Sequence, residues 1–145
     1  MGNNKIKWIL IVIIIALLIF LGFRFFRKEQ PVESNFTEIS LEKYTELLNS
    51  SDQTIIYISS KNDFSKEYEE NIKTVLKQKD TKIYYLDLSK LKGEDIVTFM
   101  NANELTKDNY VEPMILVIKD SQIKDKILGV VPKAEIMNFL DKYVD

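Results

Sequence analysis

The strongest pattern in the chain is an uncharged apolar run, WILIVIIIALLIFLGF, from Trp8 to Phe23 between Lys7 and Arg24. Beyond it, apolar residues recur in short groups whose period switches between that of a strand and that of a helix. Phe36–Ile39 predicts a short strand. Ser40 then suits an N-cap for a helix with Leu41, Tyr44, Leu47 and Leu48 on its apolar face. Thr54–Ile58 (TIIYI) is β-branched and too short for a helix, which predicts a buried strand. Phe64, Tyr68, Ile72, Val75 and Leu76 form the clearest amphipathic helix. Lys82–Leu88 predicts a strand, with Tyr84 and Tyr85 on opposite faces, and Ile96, Val97, Phe99 and Met100 predict a helix ending near Asn103. Met114–Ile118 and Ile123–Val130 flank the polar turn Lys119–Gln122 and predict a hairpin. Pro132 suits the first turn of a last helix with Ile136, Met137, Phe139, Leu140 and Tyr143 as its stripe.

The predicted order is β-α-β-α-β-α-β-β-α. Strands joined through helices call for parallel right-handed crossovers, and the late hairpin adds an antiparallel edge. The expected class is α/β, with a mixed sheet of four or five strands flanked by helices.

The first run has no polar face, so it predicts a membrane helix rather than a helix of a soluble core. Its sixteen residues span roughly 24 Å, and Phe25, Phe26 and the snorkelling bases Lys7, Arg24 and Arg27 extend it toward the ~30 Å of the hydrocarbon core. The stretch after it, LGFRFFRK, lacks the small-residue pattern of a signal-peptide cleavage site. The expected organisation is an anchor over 1–28, a polar linker over 29–35 containing Pro31, and a folded domain over 36–145, with residues 8–23 contacting lipid. Near the run, two bases stand on its N-terminal side and four (Arg24, Arg27, Lys28, Lys43) on the other, which taken alone favours a cytoplasmic domain.

Composition narrows the chemistry. The chain has neither cysteine nor histidine, which excludes disulfides, thiolate catalysis, a Ser-His-Asp triad and His-based zinc sites. All 22 acids lie at or after Glu29 and five of the 20 bases lie before it. The remainder therefore carries fifteen bases against 22 acids, a net of −7, with no arginine beyond Arg27. Such a domain is not expected to bind nucleic acid. Glu67, Glu69 and Glu70 read as a solvated helix face, and Asp87, ending a strand, reads as a capping or turn residue. No cofactor motif, metal-ligand spacing or nucleophile elbow is present, so neither cofactor nor metal is expected.

Three local features carry a resemblance. The segment IIYISSKNDFSKEY closes the second strand and opens the long helix. Val111-Glu112-Pro113 immediately precedes the strand MILVI, and Gly129 ends the last strand before the final helix. From Phe36 to Tyr143 the chain resembles a thioredoxin-like domain, closest to the membrane-anchored accessory proteins of Gram-positive bacteria that include bacteriocin transport accessory proteins. The resemblance implies a Cys-x-x-Cys motif at 62–65, where this chain has Asn62, Asp63, Phe64 and Ser65, and a cis-proline at Pro113. It also implies a buried acid where Ile56 stands. Thiol–disulfide exchange needs a thiolate, so the expected domain is redox-inactive and not an enzyme.

What the resemblance leaves is a surface. The residue before a cis-proline, Glu112, can offer its N–H and C=O to an extended peptide. The helix start at 62–65 adds unsatisfied N–H groups beside it. Asn62, Asp63, Phe64, Ser65, Glu112 and Pro113 are therefore the candidate partner-binding residues. Two plainer roles stay open: Asn62 or Asp63 as a helix cap with Pro113 kept for folding, and Phe64 as part of the core stripe. Two functions stand: a membrane-anchored module that holds a peptide or protein partner in secretion or export, or a structural subunit of a membrane complex docked through its transmembrane helix. Anchored relatives of this kind face outward, so the domain is expected outside the cell membrane. In intact cells, external protease should remove a C-terminal tag. A tag that is cut only after lysis would place the domain in the cytoplasm.

Overall fold

A computed structural model describes residues 35–106 and 108–144. The expected anchor, the span 8–23 and the linker up to residue 34 lie outside the described residues, as do the side chains of Asp63 and Phe64. Strand β1 (Phe36–Glu38) leads into helix α1 (Leu41–Leu48), β2 (Thr54–Ser59) and α2 (Asp63–Gln78). Strand β3 (Ile83–Asp87) ends in a single 3-10 turn, Leu88–Lys90, before α3 (Gly93–Ala102). Strands β4 (Met114–Lys119) and β5 (Gln122–Leu128) form the hairpin, and α4 (Lys133–Leu140) closes the fold. This is the expected order.

The sheet runs β1-β3-β2-β4-β5. β1, β3 and β2 are mutually parallel, while β4 is antiparallel to β2 and β5 to β4. The central position of β2 explains its composition. All six of its residues are buried, so both faces of the strand need apolar side chains rather than one. On one face, Tyr44 and Leu47 of α1 and Phe99 of α3 cluster with Ile56, Ile58, Leu86, Leu116 and Ile118. On the other, Tyr68, Ile72, Val75 and Leu76 of α2 and Ile136, Phe139 and Leu140 of α4 cluster with Ile55, Tyr57, Tyr85, Ile115 and Val117. There Tyr57 stacks between Phe36 and Tyr85 at ring-centroid distances of 5.3 and 5.4 Å. Burial pushes the Tyr57 phenol up to about 12. Tyr84 and Tyr85 divide as expected, Tyr85 buried and Tyr84 half-buried.

Three details differ from the sequence expectation. Ile96 and Val97, expected in the apolar stripe of α3, are 41% and 57% exposed, and Phe99 is that helix's buried residue. Phe99 and the half-buried Met100 carry that helix's packing into the cluster, so only part of its apolar arc is covered. The strand expected over Lys82–Leu88 gives its last residue to the 3-10 turn, because the Asp87 side chain caps that turn at the Ser89 N–H. The hairpin turn shortens to Asp120 and Ser121, whose φ values of 53° and 57° match the strand twist, so Lys119 and Gln122 join the ladder.

Ile56, at the position where the resemblance implies an acid, is fully buried in the cluster of Tyr44, Phe99 and Leu116. The substitution Ile56→Asp should cost about 3–5 kcal/mol in urea unfolding at pH 7, since no cation is among the buried described residues to pair a buried carboxylate. A loss within about 0.5 kcal/mol, the range of surface substitutions, would place residue 56 outside the core.

Candidate functional site

The carboxyl ends of β1, β2 and β3 lie at one end of the sheet, where α2 begins, β4 starts and β5 finishes. That topology gathers Ser60–Ser65, Asp87, Glu112–Pro113 and Gly129 at the same end. The Glu112–Pro113 peptide bond is cis, as the resemblance implied. Pro113 accepts the Gly129 N–H at 2.8 Å. Gly129 has φ +76°, and a Cβ there would stand 3.4 Å from Val111 Cγ1, which ties the 111–113 segment closely to the end of β5.

At the start of α2 the plainer of the two roles for Asn62 is realised. Its side chain accepts from the Ser65 N–H at 2.9 Å, and Ser65 Oγ lies 3.1 Å from the Asn62 N–H, completing a reciprocal capping box. Ser65 is 3% exposed, and its hydroxyl also stands 2.9 Å from the Ser60 carbonyl. The helix start is thus less open than a bare terminus, because the Ser65 N–H is already taken. Asp63 and Phe64 begin the helix backbone, and their side chains lie outside the described set.

The feature absent from the sequence reading is the direction of the Glu112 side chain. Its carboxylate turns inward across the gap to β2. It accepts from the Ser60 N–H at 2.6 Å, the Ser60 hydroxyl at 3.1 Å and the Tyr110 hydroxyl at 2.8 Å. Burial, and beside it the hydrogen bond to Glu112, push the Tyr110 phenol well above its ordinary value, so it remains a donor through neutral pH. Among the described residues, no hydrogen bond takes up the Glu112 main-chain N–H or carbonyl. The residue therefore spends its side chain inside the fold and leaves its backbone available.

Two ion pairs also stand at this end. Asp87, 2% exposed, caps the 3-10 turn and lies 3.5 Å from Lys61 Nζ. Glu38 pairs with Lys90. On α2, Lys73 stands 2.9 Å from both Glu69 and Glu70, which makes the expected solvated face an ion-paired one.

By sequence, neither a family model nor a curated protein matches the chain. Its structure is similar to solved thioredoxins. Thioredoxin O2 from Arabidopsis thaliana aligns at 12% identity with a TM-score of 0.58, covering 79% of this chain and 98% of that one. A thioredoxin from Malassezia sympodialis aligns at 9% and 0.58, covering 78% and 94%. The thioredoxin NaTrxh from Nicotiana alata aligns at 14% and 0.57, covering 77% and 95%. Together with the absence of cysteine, these likenesses define a domain of thioredoxin-like fold without the thiols of thiol–disulfide exchange. Among the described residues, no helix is long and apolar enough to cross a membrane.

The capping box makes a direct prediction. Asn62→Ala should cost about 1 kcal/mol in denaturant unfolding, the usual loss for an N-cap side chain. A loss of several kcal/mol would mean that Asn62 supports more than its helix.

Proposed function

We propose that this chain is a membrane-anchored, non-enzymatic binding module whose thioredoxin-like domain holds an extended peptide or protein segment outside the cell membrane, in secretion or export. One observation carries the reading: exposed apolar side chains gather around an unused stretch of main chain. Six large apolar residues are exposed among the described residues. Val111 (42%), Leu128 (37%) and Val130 (62%) flank Pro113 and Gly129. Ile96 and Val97 lie in the first turns of α3, which leaves from the same end of the sheet. Only Ile123, at the start of β5, lies at the opposite end.

Exposed apolar residues concentrated in one region are a mark of an interaction surface. The Glu112 N–H and C=O supply the directional part, since an extended segment can pair with them as a strand pairs with an edge. The anchoring half of the proposal rests on the uncharged run 8–23. The structural-subunit reading has no comparable observation within the folded domain.

The test uses the full-length protein in intact cells with a photo-crosslinking residue at position 130 or, as a control at the opposite end, at position 52. A discrete cross-linked product is expected at 130 and not at 52, and Val111→Asp should reduce it at least fivefold. Equal products at both positions, or no effect of Val111→Asp, would overturn the assignment of the binding surface.

A further inference from the structure

Three hydrogen-bond donors converge on the Glu112 carboxylate, and none is a cation. They are the Ser60 N–H, the Ser60 hydroxyl and the Tyr110 hydroxyl. The nearby base, Lys61, lies instead 3.5 Å from Asp87. The fold positions these donors without help from Glu112. Ser60 directly follows Ser59, which is 2% exposed and paired in register with Asp87 at the end of β2. Tyr110 packs against the α1/α3 cluster, and its N–H reaches the Thr106 carbonyl at 2.9 Å. A carboxylate is the group that satisfies such a set, since its two oxygens accept several donors and charge strengthens each bond.

The resident carboxylate also sits beside exposed Val111, on the surface proposed above to meet a partner. Exchange with a visiting carboxylate would conserve every donor's bond, while Glu112 would regain water. We propose that Ser60 and Tyr110 form a carboxylate-binding cradle that Glu112 fills in the free protein, and that its external ligand is an acidic side chain. The identity of that ligand as a partner's side chain rests on the binding-module reading. The cradle itself does not.

The probe is acetate, whose atoms correspond to those that Glu112→Ala removes. Full-length E112A in detergent would be titrated at pH 7 with sodium acetate against sodium chloride at matched ionic strength. Thermal unfolding and the Ser60 amide resonance would be followed. Acetate should raise the Tm of E112A saturably above the chloride baseline and shift the Ser60 amide. Adding Tyr110→Phe should weaken that binding roughly tenfold, through loss of one charge-assisted bond. In the unsubstituted chain the same amide should shift at a midpoint at least about tenfold higher, because the tethered carboxylate competes at high effective concentration.

An E112A response equal to that in chloride overturns the cradle. A Ser60 amide that moves in E112A and stays fixed in the unsubstituted chain overturns the exchange and leaves Glu112 a permanent structural brace. Should E112A not fold, Glu112→Ser, too short to reach Ser60, carries the same titration. No partner takes part in these measurements, so failure of the binding-module reading would show only in the cross-linking and leave them unchanged.

Discussion

The complete burial of β2 is the constraint on which the rest of the molecule depends. A strand covered on both faces needs neighbours on both edges and a helical layer on each side. Here β3 supplies one edge and β4 the other, with α1 and α3 above and α2 and α4 below. Its direction also decides where loops meet. Because β3 runs with β2 and β4 runs against it, the loop after β2, the end of β3 and the start of β4 are brought to one end of the sheet. Everything that resembles a site in this protein is a consequence of that arrangement.

At that end the polar groups are largely satisfied from within. Asn62 and Ser65 close the helix start on themselves, Asp87 is used by the 3-10 turn and by Lys61, and Glu112 is held by Ser60 and Tyr110. Among the exposed side chains there are three aliphatic ones, Val111, Leu128 and Val130, around a glycine and a proline. Hydrogen bonds from Ser60 to Glu112 link the loop before α2 to the loop before β4. An inward carboxylate spans the gap that separates them.

On the binding reading proposed above, recognition at this pole runs through main chain and apolar contact rather than charge, with one reservation built into the fold. The carboxylate that closes the gap is held by neutral donors rather than by a cation, so its hold is the strength of three hydrogen bonds and not of a buried ion pair. A brace of this kind can be firm in the free protein and still be exchanged for a group of the same chemistry.

Much of this was legible along the chain. The element order, the Ser40 cap, the α2 stripe, the doubly buried β2 and the departure from thiol chemistry follow from periodicity, capping chemistry and composition, all of which act over a few residues. The plain capping role of Asn62 was legible for the same reason, since its partner Ser65 is three positions away. The inward turn of Glu112 was not, because its partner Ser60 lies 52 positions away and nothing local at either residue marks the pairing. Nor did the spacing of Ile96 and Val97 reveal that they stay exposed: periodicity identifies an apolar arc, while tertiary packing determines which part of that arc is covered. Local pattern determined the elements and ruled out a chemistry. Only the tertiary packing decided which groups at the end of the sheet are spent within the fold and which remain exposed, because that depends on distances between segments that no local period records.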